Sequence, residues 1–118
     1  MRVYVAGAYS SDNVIGVLNN MNKGIRLSTQ LLLKGFSPFC PWLDFQFQLS
    51  LREGEELTVK DYYRYSCEWL KVSSAVLLVP GWENSKGTQD EIELAKFLSI
   101  PIFESIEDLE DYRNERKT

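Results

Sequence analysis

Ala75-Val76-Leu77-Leu78-Val79-Pro80-Gly81-Trp82-Glu83-Asn84-Ser85-Lys86-Gly87-Thr88-Gln89-Asp90-Glu91 holds a strand, a turn and the start of a helix in one run. Ala75–Val79 has no polar side for water to wet. A continuous apolar run of this length is expected to be a central strand buried on both faces, as in a parallel sheet. Pro80 and Gly81 then break the strand, and Pro80–Lys86 reads as a loop. Thr88 is expected to open a helix reaching about Ser99, because Thr88-Gln89-Asp90-Glu91 has the spacing of a capping box.

The same strand-to-helix alternation repeats on either side. Arg2–Ala6 reads as a buried strand, Gly7–Asp12 as a loop of small and polar residues, and Asn13–Lys34 as a helix. Val14, Leu18, Met21, Ile25, Ser28 and Leu32 recur at helical spacing and are expected to form its core face. Gly35 is placed to cap the helix C-terminus. Phe36–Cys40 reads as a second strand, at a sheet edge because Pro38 has no amide for a ladder. Pro41–Leu57 is less regular, with a short helix expected in its first part. Thr58 opens the next helix with Asp61 as capping partner, and Val59, Tyr62, Tyr63, Ser66, Cys67 and Leu70 follow at helical spacing. Pro101–Phe103 is a last short strand. Ser105 caps a final helix, and the charged end Arg113–Thr118 is expected to fray.

Four strand–helix units in 118 residues imply right-handed crossovers and a single α/β domain over residues 1–118. The fold expected is a Rossmann/flavodoxin-like three-layer sandwich with a small parallel sheet of order 2-1-3-4. In that order the chain switches direction between strands 1 and 3, and ligands bind at the carboxyl ends of those strands. The loops there are Gly7–Asp12 and Pro80–Thr88.

Composition narrows the chemistry. A net charge of −4 and no basic stripe argue against binding nucleic acid. The longest apolar run, Ala75–Pro80, is far too short to span a membrane. Met1-Arg2 leads straight into a strand-like segment, so no signal peptide is expected. Cys40 and Cys67 have no metal or redox spacing, so reduced thiols and a cytoplasmic setting are expected. The chain has no histidine, which excludes His triads, His metal sites and His general bases. No metal or cofactor is expected, and a dinucleotide is rejected because the glycine pattern of its phosphate turn is missing.

In the first loop, Gly7 permits a tight turn, and Tyr9, Ser10 and the backbone amides are candidates to hold a phosphate or sugar oxygen. A plain turn with Ser11 or Asp12 as helix cap is the competing reading. In the second loop, Gly87 permits a close approach, Ser85 and Thr88 offer donors, and Glu91 is placed to attack an anomeric carbon. Here the competing reading is a capping box, in which Glu91 only stabilises the helix start. Trp82, at a loop tip, is a candidate to stack on a nucleobase. Trp42, Phe45 and Phe47 are weaker candidates, since ordinary packing accounts for most aromatic side chains.

Arg2-Val3-Tyr4-Val5-Ala6-Gly7-Ala8-Tyr9-Ser10 resembles the opening of the nucleoside 2-deoxyribosyltransferase-like superfamily. The similarity continues through Leu77–Gly87, then Glu91 and Ala95, and extends to about Phe103. The nearest group by these motifs is the DUF4406 family of short bacterial and phage proteins. In the superfamily's enzymes a Ser and a Gly precede a nucleophilic Glu, with an Ala four residues after it, and Ser85, Gly87, Glu91 and Ala95 match that spacing. The resemblance implies that Glu91 takes a deoxyribosyl group from a base, and that a 5′-phosphate, where one is used, lies near the first loop. Gly87-Thr88-Gln89-Asp90-Glu91 also resembles an element of the cytokinin-type phosphoribohydrolases, which cleave an N-glycosidic bond as well. One position departs from the pattern: Ser66 stands where the active enzymes carry an Asp, and Asp61 is more than one turn away on the same helix.

Three functions follow as expectations. The first is an N-glycosidase or deoxyribosyltransferase acting on a small nucleoside or nucleotide. Glu91 would be its nucleophile, Gly7, Tyr9, Ser10, Asp44, Trp82, Ser85, Gly87 and Thr88 would bind ligand, and Asp44 or Asp61 would assist protonation. The second is a non-catalytic module of the same fold for a nucleotide or ADP-ribose-like ligand, which Ser66 favours. The third is an interaction domain. A homo-oligomer is expected, because the aromatic stretch Trp42–Phe47 looks too large to bury within one subunit and related enzymes complete their sites across subunits.

Overall fold

The computed structural model describes residues 1–116. Four parallel strands, β1 (Arg2–Ala6), β2 (Ser37–Phe39), β3 (Ala75–Leu78) and β4 (Ile102–Phe103), form one sheet in the order β2-β1-β3-β4. Val3 to Ala6 pair in register with Ala75 to Leu78, and β2, with Pro38, lies at the edge as its missing amide requires. The helices are α1 (Val14–Leu33), α2 (Phe45–Leu49), α3 (Val59–Lys71), α4 (Lys86–Phe97) and α5 (Ile106–Arg116), with single 3-10 turns at Pro41–Asp44 and Trp82–Asn84. No described helix is long and apolar enough to cross a membrane.

The period-2 alternation of a strand sorts the core into two layers. Val3, Val5, Ala75, Leu77 and Val79 face one side, where Leu31, Phe36, Cys40, Trp42 and Leu109 complete a buried cluster. Tyr4, Ala6, Val76 and Leu78 face the other, with Leu70, Ile92 and Ala95. The strands therefore read as unbroken apolar runs, because both faces are covered.

Local capping is legible in the sequence. Gly35 follows α1 with φ +88°. The Phe36 and Gly35 amides donate to Leu31 and Leu32 carbonyls, a Schellman closure that favours glycine in the left-handed region. Thr58 and Asp61 form the expected reciprocal capping box at α3, and the Ser105 Oγ accepts the Asp108 amide at α5.

Four expectations need correction. The face of α1 that packs inward is Met21, Gly24, Ile25, Ser28 and Leu31, whereas Val14, Leu18 and Leu32 are exposed. The reason is Trp42: its indole lies so close to Gly24 that a Cβ there would overlap it, so the helix approaches on a small-residue strip rather than its most apolar one. Trp42 is itself 1 % exposed, buried within the single chain against expectation, while Leu43, Phe45 and Phe47 stay exposed. On α3, Val59 is exposed; Ser66 and Leu70 are the buried positions. Of the end expected to fray, Arg113 to Arg116 are helical. Arg113 Nη1 donates to the Lys34 carbonyl at 2.8 Å and its guanidinium lies 3.9 Å above the Phe36 ring. Lys117 and Thr118 lie outside the described residues.

Candidate active site

A cavity of about 570 Å³ opens at the carboxyl ends of β1 and β3, where the strand order reverses. The first loop supplies Gly7, Ala8, Tyr9 and Ser10. The segment after β2 supplies Trp42, Asp44, Phe45 and Gln48. Helix α3 adds Tyr62, Tyr63 and Ser66, and the second loop with α4 adds Ser85, Gly87, Thr88 and Glu91.

The start of α4 decides the role of Glu91. Thr88 is not the cap. Ser85, in extended conformation, is the N-cap: its Oγ accepts the Thr88 amide at 3.2 Å and the Thr88 hydroxyl at 2.9 Å. The helix therefore begins at Lys86, and Glu91 lies in its second turn rather than at the third helical position of a capping box. Ser85 and Thr88 each have an amide three residues on, so local spacing fits either cap. Thr88 is drawn into the interior, only 1 % exposed, and its buried hydroxyl takes Ser85 as its partner.

Released from capping, the Glu91 carboxylate accepts a hydrogen bond from the Tyr4 hydroxyl. Tyr4 comes from the middle of β1, fully buried and stacked on Phe39 with ring centroids 5.5 Å apart. Ser66 interacts with the same hydroxyl. Burial, then the facing Glu91, raises the Tyr4 phenol well above its ordinary value, so Tyr4 remains a donor. Burial also pushes Glu91 up to about 7, with the Tyr4 hydrogen bond pulling the other way and Asp90 adding to the rise. A carboxyl balanced near neutrality is suited to nucleophilic or acid–base work. Burial also raises the nearby Cys67 thiol above its ordinary value.

A second polar pair lies at the first-loop end of the cavity. The Tyr9 hydroxyl donates to Asp44 Oδ1 at 3.1 Å, and burial raises Asp44. The loop is pinned by its carbonyls: Asn20 Nδ2 reaches those of Tyr9 and Ser10 at 3.2 Å, and Trp42 Nε1 that of Ala8 at 3.1 Å. Gly7 is required by packing, since a Cβ there would come within 2.7 Å of Val79. Gly87 is not: a Cβ on it meets nothing within 4 Å, so its missing side chain leaves room on the cavity side instead of relieving a clash.

Gly7, Tyr9, Ser10, Asp44, Ser85, Gly87, Thr88 and Glu91 are thus brought to one cavity. Trp82 is not among its lining residues. It packs against the β1/β3 core, and its Nε1 donates to Glu104 Oε1 at 3.3 Å. Asp61 is occupied by the α3 cap and is not among the residues lining the cavity. Tyr4 and Asn20 were missed. The signal for Tyr4 was present: a lone tyrosine in an aliphatic strand brings a buried hydroxyl that needs a partner. Asn20 gave none, because a polar residue on a helix is usually a solvated one.

A solved structure of a 2-deoxyribosyltransferase from the psychrotolerant bacterium Bacillus psychrosaccharolyticus resembles the fold with a TM-score of 0.59. The two sequences are 18% identical, and the match covers 86% of this chain and 69% of that one. No curated protein matches the sequence. The profile of a domain of unknown function, DUF4406, matches residues 1–104, which hold the whole sheet and both loops of the cavity, and the chain belongs to that family.

Proposed function

We propose that the cavity cleaves the N-glycosidic bond of a nucleoside or nucleotide, with Glu91 as the nucleophile. The observation that carries this reading is the Glu91 carboxylate itself, free of any capping role and held by Tyr4 in a cavity at the strand switch point. The carboxylate attacks the anomeric carbon, and the bond to the base nitrogen breaks with its electron pair leaving on the base, which takes up a proton. Water or a second base then attacks the same carbon and regenerates the carboxylate. The likeness to a 2-deoxyribosyltransferase supports this choice of bond.

The test is release of free base from a panel of nucleosides and nucleoside monophosphates. The nucleophile is the ionised form, which burial disfavours below about pH 7. Turnover is therefore expected to rise with pH through about 7 and level off above it. A rate that falls over that interval would assign Glu91 to proton donation instead. Ser66 supports a second reading, a ligand-binding module without turnover: a serine in place of the expected carboxylate removes a proton donor. Tight ligand binding with no base released across the panel would establish that reading.

The proposal includes a homo-oligomer. Leu43, Phe45, Phe47 and Leu49 are exposed apolar side chains on the segment after β2, with Phe45 at the cavity wall, and such clusters favour self-association. Sedimentation at micromolar concentration should show a species larger than 13.7 kDa; a monomer refutes it.

A further inference from the structure

We infer that the cavity selects uncharged nucleosides over 5′-phosphorylated nucleotides, and that the Asp44 carboxylate is the selecting group. This rests on the nucleoside reading of the site and names its substrate class. The charged residues lining the cavity, among those described, are Asp44, Glu91 and Lys86. Lys86 does not offset the two acids: its side chain is 89% exposed and its ammonium pairs with Asp90 at 3.4 Å. No arginine lines the cavity, so the bidentate donor best suited to a phosphate is absent from its walls.

The first loop, on sequence grounds the place for a phosphate, is poorly arranged for one. Its tyrosine hydroxyl is already donated to Asp44, which sets a carboxylate beside the loop. The N-terminus of α1 is closed by its own residue, the Asn13 side chain accepting the Gly16 amide at 2.8 Å. A phosphate dianion placed there would face the Asp44 charge in a partly desolvated setting, where like charges repel more strongly than in water. A hydroxyl or amino group of an uncharged ligand meets a good acceptor instead, since an ionised carboxylate offers two oxygens and Tyr9 occupies one.

Calorimetry tests this on the intact chain with a deoxynucleoside, its 5′-monophosphate and its 5′-O-sulfamoyl derivative, which has comparable bulk but no charge. The parent protein should bind the nucleoside at least tenfold more tightly than the monophosphate, and the sulfamoyl compound should follow the nucleoside. In Asp44→Asn the gap should close to within about threefold. A monophosphate bound as tightly as the nucleoside overturns the inference. So does rejection of the sulfamoyl compound, which would make size the selector, and so does a gap unchanged in Asp44→Asn. The sulfamoyl comparison uses the parent protein alone and decides whether charge is the selector even if the variant does not fold. Binding is read apart from turnover. The predicted gap without base release leaves the inference standing and ends the hydrolase or transferase reading. Base release with a monophosphate preference does the reverse, and no binding of any of the three ends both.

Discussion

In Glu91→Gln, base release is expected to fall about a thousand-fold, close to 4 kcal/mol of transition-state stabilisation. Glutamine keeps the shape and accepts the Tyr4 hydrogen bond, but its amide does not displace a base from an anomeric carbon. The same variant should be more stable than the parent at alkaline pH. In the folded parent, burial raises Glu91 to about 7, so the folded state holds a proton that the unfolded chain gives up at lower pH. Stability that depends on the protonated form is complete below the unfolded carboxyl's ordinary value and lost as pH rises through about 7. A shift of this size corresponds to roughly 3 kcal/mol. Glutamine does not titrate, so Glu91→Gln should lack that decline. Urea unfolding of both proteins at pH 5 and pH 8 reads the difference, and steady-state base release reads the rate. A residue that merely capped a helix would cost no more than about 1 kcal/mol when changed and would leave turnover intact.

Trp42→Ala is expected to destabilise the domain by about 3–5 kcal/mol, the usual range for removing a fully buried large aromatic. That is a large part of the 5–15 kcal/mol typical of a whole domain. The indole fills the space left by Gly24, supports Gly7 and holds the Ala8 carbonyl through Nε1, so its loss opens a cavity that a helix glycine cannot refill. Scanning calorimetry should show a fall in Tm of about 10–20 °C. Ligand affinity should drop as well at temperatures where the variant remains folded, because the first loop loses one of its anchors. Trp42→Phe, which refills most of the volume without the indole N–H, should recover the greater part of the stability but not the anchor.

The sheet order was legible from Ala75–Val79 and Arg2–Ala6, whose apolar runs on both faces demand central strands, and from Pro38, which excludes the second strand from the interior. These are constraints of the backbone and of water, and they act within a few residues. Gly35 was equally clear, since a helix end that enters the left-handed region favours glycine. The core face of α1 was misjudged for a reason of a different kind. Its apolar residues mark two possible stripes, and the choice was made by an indole more than fifteen positions away in sequence that fits only over Gly24.

The candidate site divides in the same way. The positions of the two loops follow from strand order alone, and with them the gathering of Gly7, Tyr9, Ser10, Ser85, Gly87 and Glu91 at one cavity. Whether Glu91 caps its helix or enters the cavity did not follow, because Thr88-Gln89-Asp90-Glu91 satisfies the local rule for a cap. Packing resolved it: Thr88 is buried, Ser85 takes the cap, and the Glu91 carboxylate meets a tyrosine 87 residues away in sequence. The sequence by itself determined the sheet, its switch point and which loops border the cavity, since periodicity and turn chemistry are local. The tertiary structure alone decided the α4 cap, the Tyr4–Glu91 and Tyr9–Asp44 pairs and the burial of Trp42, since each depends on side chains that only long-range packing brings within reach.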